Sequence, residues 1–134
     1  LELGYKSPIC KTKDLTDALF NDTLTFIFSN LNQIQPFIGT HNEDSTSLAI
    51  RLMAQANISN NDQRVWFGQL YGMSDHISYN LADIGYNVAK YVPFGPVKDV
   101  MPYLIRRAEE NTSVAGQTSR ELSLIKKERR RRKI

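Results

Sequence analysis

Four residues towards the end of the sequence could handle an anion: Tyr103, Arg106, Arg107 and Glu110. On a helix, at about 100° per residue, they form one stripe carrying an aromatic ring, two adjacent guanidinium groups and a carboxylate. Two forked guanidiniums can grip one carboxylate bidentately, and arginine suits this better than lysine. The same spacing also describes a solvated face on which Arg106 or Arg107 pairs with Glu110. Two neighbours bear on the choice. Pro102 interrupts the helical pattern and predicts a kink or a restart. Tyr91-Val92-Pro93-Phe94-Gly95 lies at the end of an apolar stretch, and α/β proteins bind ligands at the carboxyl ends of parallel strands. Thr40-His41-Asn42 and Gln69 to Gly72 hold the same kind of position, so several polar groups could converge on one rim. Taken singly, His41 could be a helix-entry hydrogen-bonder, Tyr91 strand packing, and Gln69 and Tyr71 the cover of a sheet end.

Other chemistries find less support. The one cysteine, Cys10, and the two histidines, His41 and His76, offer no metal-ligand spacing, and structural metal sites need about four close ligands. We expect no metal and no internal disulfide.

The elements that must position these groups alternate between helical and strand signals. Asp14 is expected to cap a helix running to about Gln33, with Leu15, Ala18, Leu19, Phe26 and Leu31 turned inward. Pro36-Phe37-Ile38-Gly39 is a short apolar piece. The next helix has Glu43 and Asp44 in its first turn, where acidic groups complement the dipole, and an inward stripe of Ala49, Leu52, Met53 and Ala56. Val65 to Gly72 reads as a buried strand, His76 to Asp83 as a weaker helix, and Ala89 to Val92 as a strand stopped by Pro93 and Gly95. A last helix runs from about Val97 to Asn111, and Val97, Val100, Met101, Leu104, Ile105 and Ala108 form an apolar stripe for packing on a sheet. Short apolar strands joined by helices imply parallel pairing. Three strands cannot close a barrel, so this is a small open α/β sheet or a piece of something larger.

Composition sets the outer bounds. The 134 residues are 41% hydrophobic and 23% charged, which suits one ordered domain. No apolar run reaches the ~20 residues that cross a bilayer. The first residues show neither a signal peptide nor an Arg-rich transit sequence, and the absence of an initiator Met suggests a start inside a longer protein. The net charge of +3 is a property of the tail: residues 120–134 hold eight Lys/Arg against two Glu, the rest nine Lys/Arg against twelve Asp/Glu. The basic run from Arg129 to Lys133 is either a solvated terminus or an anionic-surface contact. No RNA-binding aromatic motif or zinc finger accompanies it, so no nucleic acid is expected.

Four ordered segments carry a resemblance. Tyr103-Leu104-Ile105-Arg106-Arg107-Ala108-Glu109-Glu110-Asn111 resembles the substrate-binding helix motif of proline dehydrogenases, and Tyr91-Val92-Pro93-Phe94-Gly95-Pro96 resembles the segment before it. Thr40-His41-Asn42 and Phe67-Gly68-Gln69-Leu70-Tyr71-Gly72-Met73 are similar to two further landmarks of that family, in the right order.

The resemblance implies a fold, an activity and roles. The chain would be α/β, the C-terminal part of a (βα)8 barrel, contributing about three strands plus the final helix. Residues 1–113 would belong to the barrel and 114–134 would be a basic tail, mobile or helical. The implied reaction is FAD-dependent oxidation of L-proline to Δ1-pyrroline-5-carboxylate, with electrons passed to quinone. It implies a mitochondrial setting on the matrix side of the inner membrane, with peripheral membrane contact. Arg106, Arg107, Tyr103 and Tyr91 would bind substrate, and Thr40, His41 and Glu110 would contact FAD. Ile77 would line the pocket. In relatives that use hydroxyproline, the position resembling Tyr91 holds a serine. The family's lysine, aspartate and the arginine near flavin N5 belong to earlier strands that this sequence does not include. A non-catalytic fragment and a basic-tailed anionic-surface binding module are the alternatives.

Overall fold

The computed structural model describes residues 7–112, 122–123, 126–127 and 129–131; at Ala108 and at 110–112 the description extends to the backbone only. Most of the basic tail therefore lies outside the described residues.

Seven elements follow one another: α1 (Lys13–Phe28), β1 (Phe37–Gly39), α2 (Glu43–Gln55), β2 (Trp66–Leu70), α3 (Asp75–Asp83), β3 (Val88–Tyr91) and α4 (Val97–Thr112). This is the expected alternation, with ends shifted by the caps. Thr12, not Asp14, caps α1: its side chain accepts from the Leu15 N–H, and Asp14 sits in the first turn. The helix stops at Phe28 rather than near Gln33, and turns lead on from Ser29. Asn42 caps α2 by accepting from the N–H groups of Asp44 (2.9 Å) and Ser45 (3.3 Å). A side-chain oxygen there satisfies donors that the helix itself cannot.

The strands form one parallel sheet in the order β1-β2-β3. Its register places Ile38, Phe67 and Val88 in one row and Gly39, Gly68 and Ala89 in the next. Because side chains alternate across a sheet, the first row faces the helices and the second the opposite side. The helix-facing row joins a core of Leu24, Phe28 and Leu31 with Ala49 and Met53 of α2 and Ile77 and Leu81 of α3. Phe67 is fully buried and meets Tyr86 edge-on at 5.5 Å. Burial of a side chain of that size contributes roughly 1.5–3 kcal/mol.

The opposite face has little cover. Phe37 is 64% exposed, although its ring folds down over Gly68, where a Cβ would meet Phe37 Cε1 at 2.2 Å.

Two expected apolar faces are not buried in this chain. On α1 the inward residues are Leu24 and Phe28, followed by Leu31 beyond the helix, whereas Leu15, Ala18, Leu19 and Phe26 are exposed. The helix carries apolar residues on two sides, and only the side facing α2 and the sheet finds partners. On α4 the stripe meant for a sheet leaves Val97, Met101, Leu104 and Ile105 exposed, because three strands offer it no surface. Ala56 caps the end of α2 in an exposed position instead of completing its inward stripe.

At the amino-terminal end of the sheet, the Arg64 guanidinium donates to both Asp62 carboxylate oxygens (2.9 and 2.7 Å), and the Arg64 N–H donates to Asp62 Oδ1 (2.9 Å). The Asn87 amide ties the same turn to β3 by donating to the carbonyls of Asp62 (2.7 Å) and Val65 (3.1 Å). The Arg64 hydrogen bonds hold the Asp62 carboxyl at about 2, below its usual 3.8.

Candidate substrate and cofactor site

All three strands end at the same rim, and two cavities adjoin there. They share Leu70 and Tyr91. The larger, about 470 Å³, lies over the open face of the sheet, with Gly39, Gly68 and Ala89 along it and Thr40 and His41 at its edge. The smaller, about 310 Å³, lies between the β2–α3 turn and α4, with Met73 on one side and Tyr103 and Arg107 on the other.

Tyr91 closes β3 and meets the Tyr103 ring edge-on, with centroids 5.7 Å apart and planes at 66°. The Arg107 guanidinium carbon lies 5.1 Å from the centre of that same Tyr103 ring. One turn of helix makes this stack possible, since residues four apart share a face. The ring's negative face attracts the guanidinium. Tyr91, Tyr103 and Arg107 thus form a continuous aromatic and cationic wall. Arg106, one position earlier, is exposed and does not line either cavity. The side chain of Glu110 lies outside the described residues.

At the larger cavity, the Thr40 hydroxyl oxygen accepts from the Asn42 N–H (3.1 Å). His41 Nδ1 lies 2.9 Å from Ser74 Oγ, which fixes the ring against the β2–α3 turn. Beneath them, the Ser78 hydroxyl donates to the Gln69 amide oxygen (2.8 Å), and Gln69 Nε2 reaches the Thr40 carbonyl (3.4 Å). His76, which lines neither cavity, lies 2.9 Å from Glu43 and ties the first turn of α3 to that of α2. Ile77 is 7% exposed and packs in the core; it is on the wall of neither cavity.

Three residues outside the recognisable motifs shape this rim. Ser74 holds His41, Ser78 holds Gln69, and Lys90 donates to the Met73 carbonyl (2.6 Å) and to Asp75 Oδ1 (2.7 Å). All three act across elements, so no local periodicity announces them. Among the described residues no group of His, Cys, Asp and Glu could hold a metal ion, and no helix is long and apolar enough to cross a membrane.

Comparison with known proteins gives a consistent result. The family model described as proline dehydrogenase matches residues 1–120. The human protein named mitochondrial proline dehydrogenase 1 is 42% identical over 127 residues, covering 92% of this chain and 21% of that protein. Mitochondrial proline dehydrogenase 2 of Arabidopsis thaliana is 41% identical, covering 97% and 28%. The carbapenem antibiotics biosynthesis protein CarD of Pectobacterium carotovorum is also 41% identical, covering 92% and 31%. Among solved structures, proline utilization A from Bdellovibrio bacteriovorus, inactivated by N-propargylglycine, superposes with a TM-score of 0.74 at 29% identity. That match covers 83% of this chain and 11% of the other. The chain thus spans under a third of the length of each of these relatives.

Proposed function

This chain belongs to the proline dehydrogenase family, and from that we propose that it supplies the substrate-binding rim of an enzyme oxidising L-proline to Δ1-pyrroline-5-carboxylate. The observation that carries the reading is the Tyr91–Tyr103–Arg107 wall beside a cavity at the carboxyl ends of parallel strands. A proline needs a cation for its carboxylate and flat apolar surface for its ring, and this wall offers both. Arg107 would take the carboxylate, with Arg106 as a second donor, and the two tyrosines would pack on the ring. Fixing the carboxylate fixes C5, the carbon that must lose a hydride as the nitrogen lone pair closes the C=N bond.

The acceptor of those two electrons would be FAD, which the family resemblance implies. The residues present fit a flat ring system on one side. Gly39, Gly68 and Ala89 make a row with almost no side chain; it is open at Gly39, where nothing stands within 4 Å of a Cβ, while at Gly68 the Phe37 ring lies over it and would have to turn aside for the cofactor. Thr40 and His41 at the rim would bind the cofactor, with Glu110 joining from α4. FAD, when bound, supplies the two-electron acceptor, and the protein's part is binding and orientation. Within the family's (βα)8 barrel these strands would be the last three, and a membrane quinone would receive the electrons in turn. The relatives named mitochondrial support a mitochondrial setting, with the matrix side of the inner membrane as its finer form.

The test uses the full-length protein that carries this segment. Proline-dependent reduction of a quinone analogue is expected, together with time-dependent inactivation by N-propargylglycine. A flavin-loaded protein that does neither is the non-catalytic alternative.

A further inference from the structure

The turn between β2 and α3 forms the wall of the smaller cavity that faces Tyr103 and Arg107, and its backbone is held in an uncommon shape. The Met73 N–H closes it by donating to the Leu70 carbonyl (3.1 Å), with Gly72 at φ +75°. Positive φ at the third residue is what a type II turn requires, and glycine supplies it without strain. Ser74 follows at φ 50°, ψ 41°. That is the left-handed region, which residues bearing a Cβ rarely enter and keep only when their surroundings over-determine it.

Lys90 provides much of that determination. Its ammonium donates to the Met73 carbonyl at 2.6 Å and to Asp75 Oδ1 at 2.7 Å, and lies 3.5 Å from the Leu70 carbonyl. These acceptors bracket the turn at its start, its middle and its exit. The Met73 carbonyl belongs to the peptide leading into Ser74, so this bond acts directly on the left-handed step. An ammonium has three N–H donors, and here three acceptors surround it. The side chain is 21% exposed, and its ammonium is paired with Asp75. Alternation along β3 sends the Lys90 side chain under the turn and its neighbour Tyr91 to the smaller cavity, while Lys90 also borders the larger one.

We infer that Lys90 is a positioning residue: it clamps the Leu70–Ser74 turn as one wall of the substrate cavity and thereby sets affinity for the ring-bearing carboxylate. This rests on the proline reading above. Loss of the clamp frees the turn to relax towards conformations that suit Ser74, and the cavity loses its shape while Arg107 and Tyr103 keep theirs.

The experiment compares wild type, Lys90→Met, Lys90→Arg and Asp75→Asn in the full-length protein. It reads KM and kcat for proline, flavin content, and calorimetric binding of cyclopentanecarboxylate, which has the ring and the carboxylate but no nitrogen to oxidise. Lys90→Met is expected to raise both KM and the dissociation constant at least about tenfold, with kcat within about threefold, the signature of lost uniform binding. Lys90→Arg, which still donates to a carbonyl, restores both to within about threefold. Asp75→Asn, which spares the carbonyl bonds, has a smaller effect than Lys90→Met. If Lys90→Met accumulates poorly, Lys90→Gln, too short to reach Met73, is read the same way. The inference is overturned if wild type oxidises proline while both the KM and the dissociation constant stay within about twofold in the variants that lose the clamp. It is equally overturned if those variants only lose flavin or kcat. A flavin-loaded wild type that neither oxidises proline nor binds cyclopentanecarboxylate overturns the proposed function itself and takes this inference with it.

Discussion

At the scale of residues, the two arginines of the Arg-Arg pair are not equivalent. Arg107 is half-buried and stacked on Tyr103, while Arg106 is exposed. If the full-length protein oxidises proline as proposed, Arg107→Met should therefore raise the KM for proline more than Arg106→Met does. Loss of a charge-assisted partner is worth roughly 1.5–3 kcal/mol, a factor of about ten to a hundred. Flavin content should hardly change, so steady-state kinetics with a flavin assay checks the prediction. Arg107→Lys should restore little, since an ammonium reproduces neither the fork nor the planar stack. Tyr91 carries a second prediction. It crowds the cavity beside Tyr103, so proline should be preferred over trans-4-hydroxyproline, and Tyr91→Ser should narrow that preference by about 1–3 kcal/mol, the usual reach of exclusion by volume. The ratio of kcat/KM values for the two substrates measures it. Local spacing put Tyr103 and Arg107 on one helical stripe and Tyr91 at a strand end before Pro93 and Gly95, but it described a solvated face and strand packing equally well; the substrate roles came from the family resemblance. Lys90 and Ser74 were not legible, since a lone lysine in a strand reads as a solvated one and its acceptors lie 15 to 20 residues away.

At the scale of elements, order and type were legible while facing was not. Alternating apolar runs and polar breaks announced all seven elements, and Pro93 and Gly95 marked the end of β3 through their backbone preferences. Leu15, Leu19 and Phe26 on α1 illustrate what periodicity leaves open. A stripe says that a face is apolar but not which surface covers it, and α1 has two such sides. The same holds for Met101 and Ile105 on α4. The turn before β2 supports a prediction about acid. The folded-state pKa of Asp62 is lowered from 3.8 to about 2 by Arg64. Its contribution to stability is thus fully present above about pH 4 and is lost as pH falls towards about 2. Asp62→Asn should lower the Tm of the full-length protein near neutral pH, and the gap to wild type should shrink steadily below about pH 4. Thermal melts across that range check it. The turn sits at the end of the sheet away from the cavities, so KM for proline should be untouched.

At the scale of the whole molecule, the described fold has open sides. Among the described residues no strand pairs with the outer edge of β1 or of β3, and unpaired edges template association. Phe37, Phe94, Val97 and the outer stripe of α1 add exposed apolar surface. The isolated 134-residue chain is therefore expected to self-associate and to melt without a single cooperative transition. A sharp two-state melt with monomeric sedimentation would contradict this. The open face also holds the one tryptophan, Trp66, in register with Phe37 and donating its indole N–H to the Gln63 carbonyl (3.2 Å). It is thereby a built-in optical reporter. Trp66 is half-buried in the separate chain, so its emission there should lie to the red of that in the full-length protein and be more readily quenched by iodide; further strands covering that face would shift it to the blue and shield it. The completion of the sheet could then be followed in a cuvette, with no label and no turnover.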